Sequence, residues 1–225
     1  ISLSAHAGDS KLYVAVEGKL RAGEDDNTFR EMIIFINASS TSGIASGAPL
    51  PEGSAFDSPF SATTDMVMDM ETDYGVRLTG GNSPQAFASI ANYVALTDDG
   101  KADDQFEGTV DLSGTPVVGG AFGGEYAYQD AADLASVDGT GFEFSIPYSS
   151  IGTSESDNYQ FFVFYGDVEG DVDANIAPTL LPDDGTDNTY GNSEDWTAVS
   201  GTQATDRVLP VELTAFDAQL DGQNA

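Results

Sequence analysis

Three stretches of the sequence gather carboxylates densely enough to hold a metal ion. Asp98, Asp99, Asp103, Asp104 and Glu107 make the first, and Asp167, Glu169, Asp171, Asp173 and Asn175 the second. Asp183, Asp184, Asp187, Asn188, Glu194 and Asp195 make the third. Calcium takes about six to eight oxygen ligands from a chain that can curl around it, and alternating acids present side chains at that spacing. None of the three is an EF-hand: Val172 stands where that loop requires Gly, and Pro178 where it requires Glu. The competing reading is a set of solvated loops, since runs of charge are exposed as a rule. A structural calcium ion is expected at one or more of the clusters, with Asp98, Asp99, Asp103, Asp167, Glu169, Asp171, Asp173, Asn175, Asp183, Asp184 and Asp187 as ligands.

Sugar recognition rests on an aromatic platform with a few polar groups around it. The single tryptophan, Trp196, follows Asp195 and stands near Tyr190, so these three are the candidate glycan-binding residues; the alternative is that Trp196 covers the base of the core. Haem needs axial ligands. The one histidine, His6, falls near the N-terminus, and Met66, Met68 and Met70 have the spacing of a strand's core face, so no haem is expected. No Ser/His/Asp arrangement and no Gly-rich phosphate loop between a strand and a helix is visible, so neither nucleotide binding nor catalysis is expected. A pair of carboxylates for glycoside hydrolysis is not singled out.

With 38 acidic residues against 7 Lys and Arg, the chain carries a formal charge of −31. That excess repels nucleic acid and anionic membrane surfaces. It is relieved by salt or by bound cations, and fits either a secreted protein of a salt-loving organism or a calcium-loaded surface protein. Cysteine is absent, which removes disulfides and thiolate chemistry. No apolar run approaches a membrane span, so no membrane insertion is expected. Ile1 is not an initiator, and a cleaved signal peptide with export is the expected explanation.

The elements that must position these residues are strands. Leu12, Val14 and Val16 alternate with Tyr13, Ala15 and Glu17 at a period of two, and Met32 to Ile36 is an apolar run suited to burial on both faces. The two are expected to pair as a hairpin. Residues 38–64 form a long loop or insertion broken by Pro49, Pro51 and Pro59, with Leu50, Phe56 and Phe60 as its pegs. Further strands are expected at 65–70, 75–79, 88–96, 105–112, 121–128, 141–147 and 159–165, with one helical turn at 147–152 and a weak helical pattern at 125–137. This is an all-β chain, a two-sheet antiparallel β-sandwich of jelly-roll-like type, spanning residues 1–199. Residues 200–225 are a small polar linker followed by a tethered C-terminal strand, in which Leu209, Val211 and Leu213 alternate with Pro210, Glu212 and Thr214.

Leu12 to Leu20, Ile33 to Asn37, Gly141 to Pro147 and Asp195 to Gly201 occur in an order that resembles secreted bacterial β-sandwich proteins of the DOMON and family 9 carbohydrate-binding-module type. Leu209-Pro210-Val211-Glu212-Leu213-Thr214-Ala215-Phe216 resembles the segment that opens the C-terminal region of type IX secretion cargo in the Bacteroidetes and their relatives. The resemblance implies an exported, extracellular or surface-displayed protein.

The expected function is a non-enzymatic structural subunit of the cell exterior, assembling with itself into a layer or filament. The terminal strand would enter a neighbouring sandwich through Leu209, Val211, Leu213 and Phe216. The alternative is a carbohydrate-binding adhesion module with an extracellular polysaccharide as partner.

Overall fold

The computed structural model describes residues 2–8, 10–17, 30–55, 60, 63–80, 85–111, 113–129, 140–167, 172–177, 195–198 and 205–206. Its strands are β1 (Ser2–Gly8), β2 (Lys11–Glu17), β3 (Arg30–Ala38), β4 (Tyr74–Gly80), β5 (Gln85–Asn92) and β6 (Asp103–Asp111). They continue as β7 (Val117–Val118), β8 (Glu125–Gln129), β9 (Gly141–Pro147), β10 (Tyr159–Asp167), β11 (Val172–Ala177) and β12 (Thr205–Asp206). A single α-helical turn, α1 (Tyr148–Ile151), joins β9 to β10 and closes on Gly152 in the left-handed conformation (φ 64°).

The strands form two antiparallel sheets, one of five strands in the order β1-β2-β9-β8-β7 and one of seven. The larger runs β11-β10-β3-β4-β5-β6, with β12 also paired to β10. The two-sheet antiparallel sandwich is therefore as expected. Its connectivity is a pair of meanders: β3 to β6 follow one another in one sheet and β7 to β9 in the other. The halves lock where β2 pairs β9 and β3 pairs β10.

β2 and β3 are not a hairpin but lie in different sheets. The reason is legible in their side chains. β2 buries Leu12, Val14 and Val16 and leaves its other face outward, whereas Met32 to Ile36 are all fully buried. A strand with one wet face and a strand with two dry ones need different neighbours. β1 pairs with β2 over seven residues and places His6 opposite Tyr13. Residues 125–129 are strand and not helix, because Tyr126 and Tyr128 alternate into the core.

Between the sheets, Leu12, Val14, Val16, Tyr126, Tyr128, Phe142, Phe144 and Ile146 meet Met32, Ile34, Ile36, Val76, Leu78, Ile90, Phe161 and Val163. Burying each such side chain is worth about 1.5–3 kcal/mol before chain entropy is set against it.

A second core lies on the other side of the larger sheet. There Ile33, Phe35, Phe162 and Tyr93 pack under Leu50, Phe60, Met66, Met68, Met70 and Trp196. The cover is drawn from residues 39–55, 60 and 63–73, and its two arms are tied by Ile44 and Thr72 in both directions (2.9 and 2.8 Å) and by Leu50 N–H to the Met66 carbonyl (2.8 Å). Asp73 anchors its base, accepting from Ala38 N–H (2.7 Å) and Thr41 Oγ1 (2.6 Å). Met66, Met68 and Met70 keep the spacing of a strand and share one buried face, but residues 65–70 are not a strand. They contact the chain at isolated bridges, Val67 with Pro49 and with Asp195.

Candidate functional site

Among the described residues no segment covers the outward face of the five-stranded sheet, and its residues fall into rows set by the strand register. One row reads His6, Tyr13, Ser145, Glu125 and Val118; the next reads Ser4, Ala15, Glu143 and Ala127. Every position of the second row except Glu143 is small. A solvated strand face ordinarily carries long polar side chains, and replacing them with Ala15, Ala127, Ser4 and Ser145 lowers the floor. The result is a cleft of about 410 Å³ lined by His6, Tyr13, Ala15, Glu125, Ala127, Glu143 and Ser145, with Pro116 at its rim. That volume lies within the usual range for small-ligand sites.

The cleft has an aromatic flank and an acidic centre. His6 and Tyr13 stand side by side with ring centroids 6.2 Å apart. The imidazole leans over Gly8, where a Cβ would come 2.7 Å from its Nε2. Its Nδ1 is shielded from solvent and makes no hydrogen bond among the described residues. Glu143 sits half-buried among small neighbours, and that burial raises its carboxyl above the ordinary glutamate range. Glu125, more exposed, pairs with Lys11 (3.1 Å) and accepts a long hydrogen bond from Ser145 Oγ (3.4 Å). Two carboxylates in one cleft, one held by a lysine and one shielded from water, together with a ring pair, can bind the hydroxyls and the apolar faces of a polyol. A titratable group shifted by burial inside a cleft is also a signature of functional sites.

Trp196, the expected sugar platform, is fully buried. Its ring meets Phe162 at 5.2 Å between centroids, and the Trp196 main-chain N–H donates to the Val67 carbonyl (2.8 Å). It has no face open for stacking. Asp195 is exposed and caps the turn of 3₁₀ helix at Trp196–Ala198, accepting from Thr197 N–H (3.0 Å). Tyr190 lies outside the described residues.

The acidic clusters are dispersed where they are described. Asp98 and Asp99 belong to a turn at 97–101, and the hydrogen bond from Thr97 Oγ1 (2.6 Å) holds the Asp99 carboxyl below its usual range. Asp103 accepts from Gln105 Nε2 (2.8 Å). Asp104 is buried under the cover and accepts from Ala55 N–H (2.7 Å), while Glu107 accepts from the Ala121 and Phe122 N–H groups (3.0 and 3.2 Å). Asp104 and Glu107, both on β6, thus bond to different segments of the chain. Asp167 ends β10, and Asp173 and Asn175 lie in β11, so part of the second cluster belongs to a strand pair. Glu169, Asp171, Asp183, Asp184, Asp187, Asn188 and Glu194 lie outside the described residues, as do Leu209, Val211, Leu213 and Phe216. Among the described residues, no three His, Asp or Glu side chains come together as a metal site.

Sequence reasoning missed the cleft. Tyr13, Ala15, Glu143 and Ser145 were visible as the outward residues of clear strands, and the available signal was the small side chains of Ala15 and Ser145 beside larger polar ones. No protein-family model, curated protein or solved structure matches the chain.

Proposed function

We propose that this protein is a carbohydrate-binding module that acts outside the cell, with the outer face of its five-stranded sheet as the binding surface. The observation that carries the reading is the small-floored cleft in which half-buried Glu143 lies beside the Tyr13 and His6 rings. Tyr13 supplies the stacking face, Ser145 the neutral hydroxyl, and Glu143 and Glu125 the acceptors for sugar hydroxyls. The two glutamates and the chain's charge of −31 favour neutral polysaccharides and disfavour acidic ones. Export follows from the C-terminal resemblance, and binding without turnover from the lack of a singled-out catalytic set in the sequence.

The test is affinity electrophoresis of the full chain through gels containing neutral or acidic polysaccharides, at high salt. Retardation by a neutral polymer that is lost in Tyr13→Ala and kept in Trp196→Phe supports the proposal. Equal retardation of Tyr13→Ala, or none of the parent on any neutral polymer, refutes it. Release of reducing ends from a retarding polymer would replace binding with hydrolysis by the Glu125 and Glu143 pair.

A further inference from the structure

The larger sheet turns most of its outward apolar side chains under the cover, but two phenylalanines stay in the open. Phe87 on β5 and Phe106 on β6 are 40% and 60% exposed, more than any other aromatic side chain among the described residues. Both face outward: Phe87 stands between Ala86 and Ala88, which are buried between the sheets, and Phe106 lies opposite Ser89. Neither belongs to the second core. Their rings form a tilted pair, with centroids 6.3 Å apart and 49° between the planes. Single exposed apolar residues need no explanation, whereas two rings in contact on neighbouring strands make a patch.

The pairing of β5 with β6 carries a device that creates this patch. Phe106 and Thr109 are three residues apart, and in a regular strand they would face opposite sides. Here the register shifts: Ser89 pairs with Phe106 and Ala88 with Gly108, so Glu107 is the extra residue of a bulge. The Glu107 carboxylate accepts from the Ala121 and Phe122 N–H groups and from the Tyr126 hydroxyl (3.2 Å) on the other sheet. Phe106 is left facing out beside Phe87, with Thr109 on the same side.

The neighbours of the ring pair are polar. Cross-strand rows set Thr79, Phe87 and Thr109 side by side, and Arg77, Ser89 and Phe106 in the next row. Gln85 pairs with Asp111 one step beyond Thr109 on the same face. Aromatic faces bordered by hydroxyl and amide groups suit a sugar, whose C–H side lies on a ring while its hydroxyls find the polar border. Arg77, the cation of these rows, is committed to buried Glu31, so the patch offers no countercharge to an acidic sugar. A protein partner fits poorly. A phenylalanine side chain offers about 150–250 Å² in all, so at these exposures the pair presents on the order of 200 Å². A stable interface takes about 800 Å² from each partner. A second copy of the chain would also bring a further charge of −31.

We propose that Phe87 and Phe106 form a second sugar-binding site, for a pyranose ring of a neutral polysaccharide, on the face of the sandwich opposite the cleft. Its ligand class rests on the carbohydrate reading of the cleft, but the two sites share no residue. Because they lie on opposite outer faces, one molecule can hold two polysaccharide chains at once and cross-link them.

The test mixes the full chain at high salt with soluble neutral glucan, mannan or xylan and follows light scattering, beside gel retardation on the same polymer. With a polymer that retards the parent, scattering should rise above that of protein and polymer measured apart. Phe87→Ala with Phe106→Ala should abolish the rise and remain retarded through the cleft. Phe87→Tyr with Phe106→Tyr, which keeps both rings, should restore the rise. An undiminished rise in the alanine variant, a loss shared by the tyrosine variant, or no rise with any of the polymers overturns the proposal. So does scattering by the parent without polymer that the alanine variant lacks, since a second copy would then be the occupant. Failure of the cleft looks different: Tyr13→Ala would keep the rise that the alanine pair at 87 and 106 has lost, which removes the cleft and leaves this site standing.

Discussion

The two outer faces of this sandwich are made from the same pleated lattice and end in opposite states. On the seven-stranded sheet the outward residues of the central strands are Ile33, Phe35 and Phe162, and a cover drawn from residues 39–55, 60 and 63–73 is laid over them with Trp196 as a buried plug. On the five-stranded sheet the outward residues are Ala15, Ala127, Ser4, Ser145 and Glu143, around a cleft. Large apolar groups facing out oblige the chain to supply a lid, because exposed apolar area of that extent is unfavourable. Small and ionisable groups facing out leave a surface that can stay bare until a ligand arrives. An aromatic residue is core under the cover of the first face and lines a cleft on the second, which is why the lone tryptophan was a poor guide to the cleft and Tyr13 a better one.

The strongest way to break the comparison is to remove the plug. Trp196→Ala should cost about 3–5 kcal/mol, the range for deleting a buried aromatic side chain. Thermal or urea unfolding measures it, and a loss below about 1 kcal/mol would mean that the second core does not depend on the indole. Because Trp196 is the sole tryptophan, its emission should have the short-wavelength maximum of a shielded indole and should not move when sugar is added. A shift on adding sugar would place the ligand on the wrong face.

The cover itself can be tested at Gly43. A Cβ there would lie 2.1 Å from the Thr72 carbonyl oxygen, a main-chain atom that Ile44 N–H already uses. Gly43→Ala should therefore destabilise by about 1–3 kcal/mol, as overpacking does, and should separate the two arms of the cover. Proteolysis within residues 44–72 that accelerates in the variant, while the five-stranded sheet keeps its amide protection, would show that the lid opens as a unit. An unchanged melting temperature would count against the tight crossing.

Much of this asymmetry was legible before the fold was known. The period of two in Leu12-Val14-Val16 and Phe142-Phe144-Ile146 marks strands with one buried face. The unbroken Met32 to Ile36 run marks a strand buried twice, which already implies something on the second face. What covers that face was not legible. Residues 38–64 have loop composition, and nothing local distinguishes a loop hanging in solvent from one folded back over Phe35. The partner of β2 was equally hidden, since pairing to β9 spans more than a hundred residues and period alone does not name a partner. The cleft escaped because it is defined by absent side chains, Ala and Ser where longer groups were expected, across strands whose adjacency comes only from the topology.

On the open face the comparison predicts that binding and stability separate. Tyr13→Ala removes a ring beside His6 without opening the core, so affinity for a retarding polysaccharide should fall at least tenfold, about 1.4 kcal/mol. The melting temperature should stay within a few degrees of the parent, since surface changes are usually within about 0.5 kcal/mol. Isothermal titration and calorimetry on the same sample decide it. Equal losses in both would mean that Tyr13 is a structural residue and that the open face is merely a thin edge of the core.

The smallest expected effect is at Glu143, and it has a definite sign. Burial raises its carboxyl in the folded state above the value it takes in the unfolded chain. Between those two values the folded state holds more protons than the unfolded one. Stability from this group is therefore fully present below the ordinary glutamate range and declines as pH rises through the raised value. Glu143→Gln keeps the shape of the neutral acid and cannot ionise, so it should melt with the parent near about pH 4 and above it at pH 7. With a net charge of −31, removing any carboxylate also relieves general repulsion. The comparison should accordingly be repeated at about 1 M salt, where the screening length falls to about 3 Å, and beside Glu155→Gln on the exposed surface. A gain at pH 7 that survives salt in Glu143→Gln and vanishes in Glu155→Gln belongs to the shielded carboxyl. A gain of equal size at both pH values, or one abolished by salt, would make Glu143 an ordinary surface acid and remove the electrostatic feature that sets the bare face apart from the covered one.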